Sequence, residues 1–370
     1  MLAFQRTNMP TRVLITGGMG FIGSHLAEAF LALGQQVTVA DNCSTGRFEN
    51  IQHLVGHPNF RFALDDITNH TVIDRLASES DVIYHMAAAV GVQLIVDNPI
   101  YTVENNVVGT EMVLKAAARY RTKVFIASTS EVYGKGHRIP FREDDDVVLG
   151  PTSRNRWGYA ASKMVDEFMG LAYYHQKKLP VVVFRLFNTV GPRQSGQYGM
   201  VIPRFAQQAL RGEALTVYGD GQQSRCFLHV ADAVAALIAL AECPAAVGQV
   251  FNIGSTEETT MLELASRVIR MVDARKYGDL PRTGVKSLNG HSQADQVDPD
   301  RVVFVPYKDA YAEGFEDMRR RVPSIDKIQE FTGWEPRRSL TQILEDVIDG
   351  LAGEREAVLP AQASGQRSAA

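Results

Sequence analysis

A glycine-rich turn near the amino terminus constrains the fold more than any other feature of this sequence. The segment Thr16–Gly23 (TGGMGFIG) follows an apolar run and precedes apolar residues at helical spacing. Gly17 permits a tight turn, Gly20 permits backbone amides to approach a diphosphate, and Gly23 permits a helix to pack closely on a strand. The turn in this setting predicts a dinucleotide-binding Rossmann sheet.

The first half of the chain alternates short apolar runs with helical periodicity. Uninterrupted apolar runs are expected of parallel strands that helices cover on both faces, and the alternation indicates a doubly wound α/β sheet. We therefore predict residues 11–190 to be a Rossmann-like NAD-binding domain that includes the catalytic residues. Its predicted strands are Val13–Thr16, Val37–Asp41, Asp81–His85, Val124–Ser128 and Val181–Phe187.

The second half has α/β elements of mixed order and longer loops, which is typical of a smaller α/β substrate-binding lobe. We assign residues 191–352 mainly to this lobe, with the strand predicted at 251–254 a candidate to return to the main sheet. The polar stretch 274–301 predicts an exposed loop. The small and polar residues 353–370 predict a disordered tail.

Composition excludes several classes of function. A formal charge of −4 disfavours nucleic acid or an anionic membrane as the main partner. No apolar run is long enough for a membrane span, and Met1–Pro10 lacks the apolar region of a signal peptide. Cys43, Cys226 and Cys243 have no metal-site spacing, which indicates reduced structural thiols and no metal. We expect a cytoplasmic enzyme.

Asp41 ends the second predicted strand, about 20 residues after the glycine turn. A carboxylate at this point can accept hydrogen bonds from the ribose hydroxyls of adenosine. It would repel a 2′-phosphate, so the expected cofactor is NAD rather than NADP. The alternative is a strand-end aspartate that only caps a turn.

Tyr159 and Lys163 have the spacing that places two side chains on one helix face, one turn apart. An ammonium group near a phenol lowers the pKa of the phenol, so the tyrosine can act as a base toward a sugar hydroxyl. The same spacing recurs at Tyr173/Lys177 and Tyr174/Lys178. Position favours Tyr159, because it begins its helix near the predicted carboxyl ends of the strands, where open α/β sheets bind ligands.

Several ordered motifs together resemble the extended short-chain dehydrogenase/reductase family, whose members modify nucleotide-diphospho-sugars. They span residues 11–350 and are TGGMGFIG, Asp41, Asp65-Asp66-Ile67, His85-Met86-Ala87-Ala88, Asn106-Val-Val-Gly109-Thr110, STSEVYG and YAASK. The resemblance implies that Thr129 holds the C4 oxygen of the sugar, Tyr159 removes its proton and Lys163 binds the nicotinamide ribose. Cofactor contacts are implied at Gly17, Gly20, Phe21, Ile22, Gly23, Asp41, Asn42, Asp66, Ile67, Ala87 and Lys163.

Glu131 bears on which reaction of this family is catalysed. Simple C4 epimerases usually lack an acid at this position, and a carboxylate suggests chemistry at C5. Ser130-Glu131 after the threonine resembles GDP-mannose 4,6-dehydratases, which use NADP, and UDP-glucuronate decarboxylases. The dTDP-glucose dehydratases carry Asp-Glu at the two positions where this chain has Ser130-Glu131. A glutamate that only makes a loop hydrogen bond is the alternative.

The later segments resemble UDP-xylose synthases and the decarboxylase domain of the bifunctional polymyxin-resistance enzyme. These segments are 147–157, 187–193, 225–227 and 311–324. The resemblance places Arg321 beside the sugar. Two alternatives are that Arg319 or Arg320 takes this position instead, or that the three arginines form a solvated face. Guanidinium groups suit a diphosphate or a loop anchor. Substrate contacts are implied at Asn188, Arg193, Val201, Thr216, Tyr218, Arg225 and Arg321, with Thr216–Tyr218 beside the uracil.

The resulting hypothesis is an NAD-dependent UDP-glucuronate decarboxylase that yields UDP-xylose or the 4-keto pentose. Thr129 would stabilise the enolate, while Glu131 and Arg321 would position the carboxylate and help to reprotonate C5. A C4 epimerase, a 4,6-dehydratase and a non-catalytic NAD-sensing scaffold stay open as alternatives. Segments 89–93 and 274–301 depart from the family pattern, which leaves the sugar open. The resemblance also implies a homodimer through a four-helix bundle built from helices 102–118 and 159–174.

Overall fold

The apolar runs of the first half pair side by side as parallel strands in the computed structural model. The structure describes residues 9–91, 95, 97–194, 200–277, 301–310 and 318–358. The strands are β1 Arg12–Thr16, β2 Gln36–Asp41, β3 Phe60–Leu64, β4 Val82–His85, β5 Lys123–Thr129, β6 Val181–Leu186, β7 Thr189–Val190, β8 Leu215–Tyr218, β9 Ser224–Cys226, β10 Leu228–His229, β11 Val250–Ile253, β12 Glu258–Thr260, β13 Val302–Val305 and β14 Arg320–Arg321. The helices are α1 Phe21–Ala32, α2 His70–Ser78, α3 Pro99–Tyr120, α4 Arg156–Lys177, α5 Val201–Arg211, α6 Val230–Ala241, α7 Met261–Tyr277, α8 Tyr307–Ala310, α9 Asp326–Thr332 and α10 Leu340–Val358.

The main sheet has seven strands in the order β11-β6-β5-β4-β1-β2-β3, and all of its pairings are parallel. Helices α1 and α6 pack on one face through a core that includes Leu26 and Leu237. Helices α2 and α3 pack on the other face through residues such as Leu76 and Val113. Because apolar cores cover both faces, the central strands are buried on both sides, as their unbroken apolar sequences predict. The predicted Rossmann-like fold is confirmed.

The edge strand β3 was not predicted from the sequence. Only Phe60 of its five residues is buried, while Arg61, Phe62 and Leu64 are exposed. An edge strand needs no apolar side chains on a second face, so its sequence lacks the uninterrupted apolar run that marked the other strands.

The second lobe packs helices α5, α7 and α10 around a separate apolar core that includes Phe205, Leu264 and Ile343. Strand β8 pairs with β13, and β9 lies between β12 and β14. Strand β11, which covers most of the predicted strand 251–254, lies in the main sheet beside β6. The second half of the chain therefore contributes to both lobes.

The carboxyl end of the chain differs from the predicted disordered tail. Helix α10 extends to Val358 and so covers the first six residues of the predicted tail 353–370; the rest of that tail lies outside the described residues. Most of the predicted loop 274–301 also lies outside them, although α7 continues to Tyr277. Within the described ranges, no helix combines the length and the apolar character needed to cross a bilayer.

Candidate active site

A cavity of about 480 Å³ lies at the carboxyl ends of the main-sheet strands and extends to residues of the second lobe. Its volume is in the range of small-molecule sites. Most of the residues predicted to bind cofactor or substrate, or to act in catalysis, line it. They are Gly17, Gly20, Phe21, Ile22, Asp41, Asn42, Ile67, Ala87, Thr129, Ser130, Glu131, Tyr159, Lys163, Asn188, Arg193, Val201, Tyr218, Arg225 and Arg321.

Three residues predicted to contact ligands lie outside the cavity wall. Gly23 serves packing, because a Cβ atom there would lie 2.3 Å from the carbonyl oxygen of Gly17. Asp66 accepts hydrogen bonds from neighbouring side chains, including the amide of Asn42 at 2.7 Å. The backbone amide of Thr216 donates to Gln208, and the hydroxyl of Thr216 accepts from the same side chain. The Thr216 side chain therefore faces α5, and its contact with the base stays a prediction.

The glycine turn leaves room for a dinucleotide at the start of α1. Gly17 has a φ of +69°, and a Cβ atom there would lie 2.7 Å from the backbone nitrogen of Ala87. Among the described residues no side chain caps the helix at Gly20, so its first amides can receive a diphosphate. The Asp41 carboxylate accepts from the backbone amides of Met19 at 2.9 Å and Cys43 at 2.8 Å. These residues fit NAD, because the glycine turn and the Asp41 carboxylate line the same cavity.

Tyr159 and Lys163 lie side by side on α4 and are both buried. The Tyr159 side chain hydrogen-bonds with Thr129 at the end of β5, and Nζ of Lys163 donates to Oδ2 of Asp166 at 2.8 Å. Burial raises the pKa of Tyr159, and the Glu131 and Asp166 carboxylates raise it further. Tyr159 therefore holds its proton at neutral pH in this state.

The two competing tyrosine–lysine pairs on α4 lie outside the cavity. Tyr174 packs against Gly248, and a Cβ atom added at Gly248 would lie only 2.3 Å from the tyrosine ring. Tyr173 packs with the apolar core beneath α3 and α4. The geometry therefore separates Tyr159 from the other two tyrosines, in agreement with the argument from its position at the start of the helix.

Glu131 is held by two arginines in the wall of the cavity. Its Oε1 lies 3.2 Å from Nη2 of Arg321, and its Oε2 lies 3.1 Å from Nη1 of Arg156. Burial alone would raise the pKa of Glu131. The guanidinium groups of Arg156, Arg321 and Arg225 outweigh this effect and lower the pKa to about 2. Glu131 is therefore a carboxylate at neutral pH, and it lies close to three cationic side chains.

The consecutive arginines Arg319, Arg320 and Arg321, the last two of which form β14, have different surroundings. Arg321 is buried and also donates to the hydroxyl of Ser130 at 3.3 Å. Arg320 pairs with Glu258 and Arg319 pairs with Asp220, both on the exposed side. Because β14 runs parallel to β9, Arg321 lies in register with Arg225. Of the three arginines, Arg321 alone lines the cavity.

Asn188 and Arg193 line the cavity and also anchor loops. The Asn188 amide donates to the carbonyl oxygen of Cys226 at 2.9 Å, which ties the end of β6 to β9. The Arg193 guanidinium donates to Glu28 at 2.5 Å and to Ser24 at 3.3 Å, both on α1. Arg193 therefore makes the loop-anchoring contacts that were one of its two predicted roles.

Arg156 is a candidate site residue that the sequence analysis did not single out. It is 5% exposed, lines the cavity and forms an ion pair with Glu131. The available signal was its spacing, because a residue three positions before Tyr159 lies on the same face of α4. Without the fold, the polar run that contains Arg156 gave no reason to prefer it over Arg154.

Comparisons with known proteins agree with the motifs. A family model described as GDP-mannose 4,6 dehydratase matches residues 14–347. UDP-N-acetyl-alpha-D-glucosaminuronate decarboxylase of Bacillus cytotoxicus is 39% identical over 341 residues, which are 92% of this chain and 97% of that protein. UDP-glucuronic acid decarboxylase 1 of Danio rerio is 37% identical over 345 residues, 93% of this chain and 73% of that protein.

A solved structure of UDP-glucuronic acid 4-epimerase from Bacillus cereus, in complex with UDP-glucuronic acid and NAD, has a similar fold. Its TM-score is 0.77 at 27% identity, covering 93% of this chain and 99% of that one. The chain belongs to the family of the matching model, within the extended short-chain dehydrogenases/reductases. The family inferred from the motifs is confirmed.

Proposed function

We propose that this member of the extended short-chain dehydrogenase/reductase family is an NAD-dependent decarboxylase of a UDP-uronate, with UDP-glucuronate as the favoured substrate. The observation that carries the proposal is the arginine pair that holds Glu131 beside Thr129 and Tyr159. Guanidinium groups bind carboxylates in a fork geometry, and each has several donors. A sugar carboxylate next to C5 therefore suits this end of the cavity better than a neutral hydroxymethyl group.

The cofactor end supports NAD as the oxidant. The glycine turn and the amino terminus of α1 would hold the diphosphate, and Asp41 would accept from the adenosine ribose. NAD, when bound, supplies the hydride acceptor for the sugar C4. The NAD present in the solved structure of the similar epimerase agrees with this assignment.

The residues of the chain would then divide the chemistry among them. Tyr159, once in its phenolate form, accepts the proton of the C4 hydroxyl, and Thr129 hydrogen-bonds to the C4 oxygen. The resulting 4-keto sugar is a β-keto acid, which loses carbon dioxide as the electrons of the C5–C6 bond move into an enolate. Arg321 and Arg156 hold the departing carboxylate, and a proton from solvent adds to C5.

Glu131 acts differently here from the sequence-based hypothesis. A carboxylate whose pKa is lowered to about 2 is a poor proton donor at neutral pH, so it is unsuited to reprotonate C5. It is better suited to orient Arg156 and Arg321, with which it forms ion pairs. We therefore propose a positioning role for Glu131.

The decisive experiment incubates the purified protein with NAD⁺ and one nucleotide sugar at a time. UDP-glucuronate is expected to release carbon dioxide and give UDP-xylose or the UDP-4-keto pentose, which mass spectrometry distinguishes. UDP-N-acetylglucosaminuronate is the second candidate, because one relative is named as its decarboxylase. An unchanged mass with UDP-glucuronate would indicate a 4-epimerase, and loss of water from a neutral hexose nucleotide would indicate a dehydratase. No turnover of any sugar would favour a scaffold.

The substitution Glu131→Gln tests the role of the arginine pair. An uncharged amide cannot hold two guanidinium groups as a carboxylate does, and hydrogen bonds to charged groups are worth about 1.5–3 kcal/mol each. We expect carbon dioxide release to fall about 100-fold, measured as kcat. The matched control is Glu258→Gln, because Glu258 pairs with the neighbouring Arg320 outside the cavity. A 4-epimerase should tolerate Glu131→Gln, so nearly unchanged activity would contradict the decarboxylase.

We further propose that the protein is a homodimer through a four-helix bundle of α3 and α4 from two copies. The two helices pack against each other and carry exposed apolar side chains on their outer faces. The most exposed are Ile100 on α3, at 73%, and Phe168 on α4, at 68%. Apolar side chains of this size on adjacent helices are typical of interaction surfaces.

The substitution Phe168→Glu is expected to convert the dimer to a monomer, because the interface would have to bury a charge. Light scattering after size exclusion should give about twice 40.8 kDa for the wild type and one chain mass for the variant. Leu64→Glu is the control, since Leu64 is similarly exposed at 65% but lies on the edge strand β3, outside the two helices. A monomeric wild type would contradict the proposal.

A further inference from the structure

Lys163 has a buried counter-ion that the proposed reaction does not use. Asp166 follows it by one turn on α4, and the ammonium donates to the carboxylate at 2.8 Å. The two side chains are only 2% and 0% exposed. Solvent screens such a pair weakly, so Asp166 balances much of the charge that Lys163 would otherwise present to its surroundings.

A chain of hydrogen bonds links Asp166 to α3, β4 and β1. The hydroxyl of Thr110, on α3, bonds to the carboxylate, and Nε2 of His85, on β4, lies 3.0 Å from the hydroxyl oxygen. Nδ1 of His85 lies 2.8 Å from the hydroxyl of Thr16. Burial lowers the pKa of His85 to about 3, so its ring is neutral. If Thr110 donates to the carboxylate, His85 donates to Thr110 and accepts from Thr16, which gives every member a partner.

The same carboxylate acts on Tyr159, since Asp166 is one of the groups that raise the pKa of the phenol. Among the described residues, other titratable or charged groups also face this cluster. They are Glu131 from the turn after β5, Arg321 from β14, His85 from β4 and Glu167 from α4. Asp166 differs from them because it touches Lys163 directly.

We propose that Asp166 is a positioning residue that holds the ammonium of Lys163 in place and sets the pH range in which Tyr159 can accept the proton of the sugar hydroxyl. This inference rests on the proposed role of Tyr159 as the base. Removal of the carboxylate charge makes the phenolate of Tyr159 easier to form. Activity should therefore move toward lower pH. The substitution also leaves the buried ammonium of Lys163 without the carboxylate that fixes its position.

The substitution Asp166→Asn tests this in the pH profile of kcat/KM. The acid limb is expected to move down by about one pH unit, because that limb reports the base in the free enzyme. Asp166→Glu should restore a profile close to that of the wild type. Asp232→Asn is the matched control, since Asp232 is a buried aspartate paired with Arg338 on the opposite side of the sheet. It should leave the profile in place.

A second measurement needs no substrate. NMR of protein labelled with [ε-¹³C]lysine, with the Lys163 signal assigned through Lys163→Met, should show a displaced Lys163 signal at neutral pH in Asp166→Asn, because the ammonium loses the carboxylate that lies 2.8 Å away. If no nucleotide sugar is turned over, the proposed function fails and this measurement alone decides the inference.

Two results would overturn the inference. One is an equal loss of activity at every pH in Asp166→Asn, and the other is an unchanged NMR signal of Lys163; either would mean that Asp166 serves packing alone. If Asp166→Asn does not fold, Thr110→Val replaces it, because it removes the supporting hydroxyl without changing a charge. A smaller shift in the same direction is then expected, and no shift would contradict the proposal.

Discussion

Replacing Tyr159 with phenylalanine is expected to lower kcat by about 10³- to 10⁴-fold, the upper part of the range that a general acid–base group contributes. The substitution removes one hydroxyl from a side chain that is 7% exposed and hydrogen-bonded to Thr129. The ring and its packing stay the same. The loss should therefore appear in kcat, measured as product formed from UDP-glucuronate, while NAD affinity and the thermal midpoint stay close to those of the wild type.

Tyr173→Phe provides the control for this prediction. Tyr173 lies on the same helix and is followed by a lysine at the same spacing, but it does not line the cavity. Its substitution should leave kcat within about twofold of the wild type. If Tyr159→Phe retained more than about a tenth of the wild-type activity, another group would have to be the base.

The sequence predicted the sheet because burial on both faces leaves a direct mark on composition. The strand that became β5 is an unbroken apolar run with Ser128 at its carboxyl end, and a parallel strand at the centre of a sheet requires such a run. The edge strand β3 has no such requirement, so its residues Phe60–Leu64 carried no signal. Within the main sheet, local sequence therefore identified the strands that are buried on both faces and missed β3, of which only Phe60 is buried.

Tyr159, the proposed base, could be singled out from the sequence for a different reason. Three tyrosine–lysine pairs share one spacing, but only Tyr159 begins its helix near the carboxyl ends of the strands. Ligands of open α/β sheets bind at that edge, so chain position selected among identical patterns. Periodicity alone could not have done so.

The partners of Glu131 were less accessible to sequence reasoning. Arg321 is 190 residues away along the chain and reaches Glu131 because β14 pairs with β9. The resemblance of residues 311–324 to known decarboxylases pointed to Arg321. Arg156 lies only three residues before Tyr159, but no motif around it distinguishes it from other polar residues. The surroundings of Thr216 were hidden for the same reason, since the pairing of Thr216 with Gln208 depends on how α5 packs against β8.

A buried ion pair beneath the active site accounts for the second large effect that we expect. The guanidinium of Arg185, on β6, donates through Nε to Oε1 of Glu167 at 2.9 Å and through Nη2 to Oε2 at 2.7 Å. Both residues are buried. Nη1 of Arg185 donates to the hydroxyl of Tyr133 at 2.8 Å, and that hydroxyl donates to Oδ1 of Asn252 at 2.7 Å. The network thus joins α4, β6, β11 and the turn that follows β5.

The network also reaches the segment that carries Arg321. The Asn252 amide donates to the carbonyl oxygens of Phe141 at 3.0 Å and Ser324 at 3.2 Å. The backbone amide of Phe141 donates to the carbonyl oxygen of Val322 at 2.8 Å. Val322 directly follows Arg321, so the position of the guanidinium that binds Glu131 depends on this buried network.

Arg185→Met is therefore expected to lower the free energy of unfolding by about 3–5 kcal/mol, because it leaves the Glu167 carboxylate buried without its cation. Equilibrium urea unfolding, followed by circular dichroism, measures the change. The double variant Arg185→Met/Glu167→Leu should lose less than Arg185→Met alone, because it removes the uncompensated charge as well. Asp81→Asn is the exposed control: its pair with Arg12 is 45% exposed on both sides and should be worth less than about 1 kcal/mol.

The double variant also separates stability from function. It should recover much of the lost stability, but it cannot restore the hydrogen bond from Arg185 to Tyr133. If that bond helps to fix the segment that carries Arg321, kcat should stay reduced even where the protein is fully folded. Full recovery of both stability and kcat would mean that the network serves folding alone. A double variant less stable than Arg185→Met would contradict the assignment of the loss to an unpaired carboxylate.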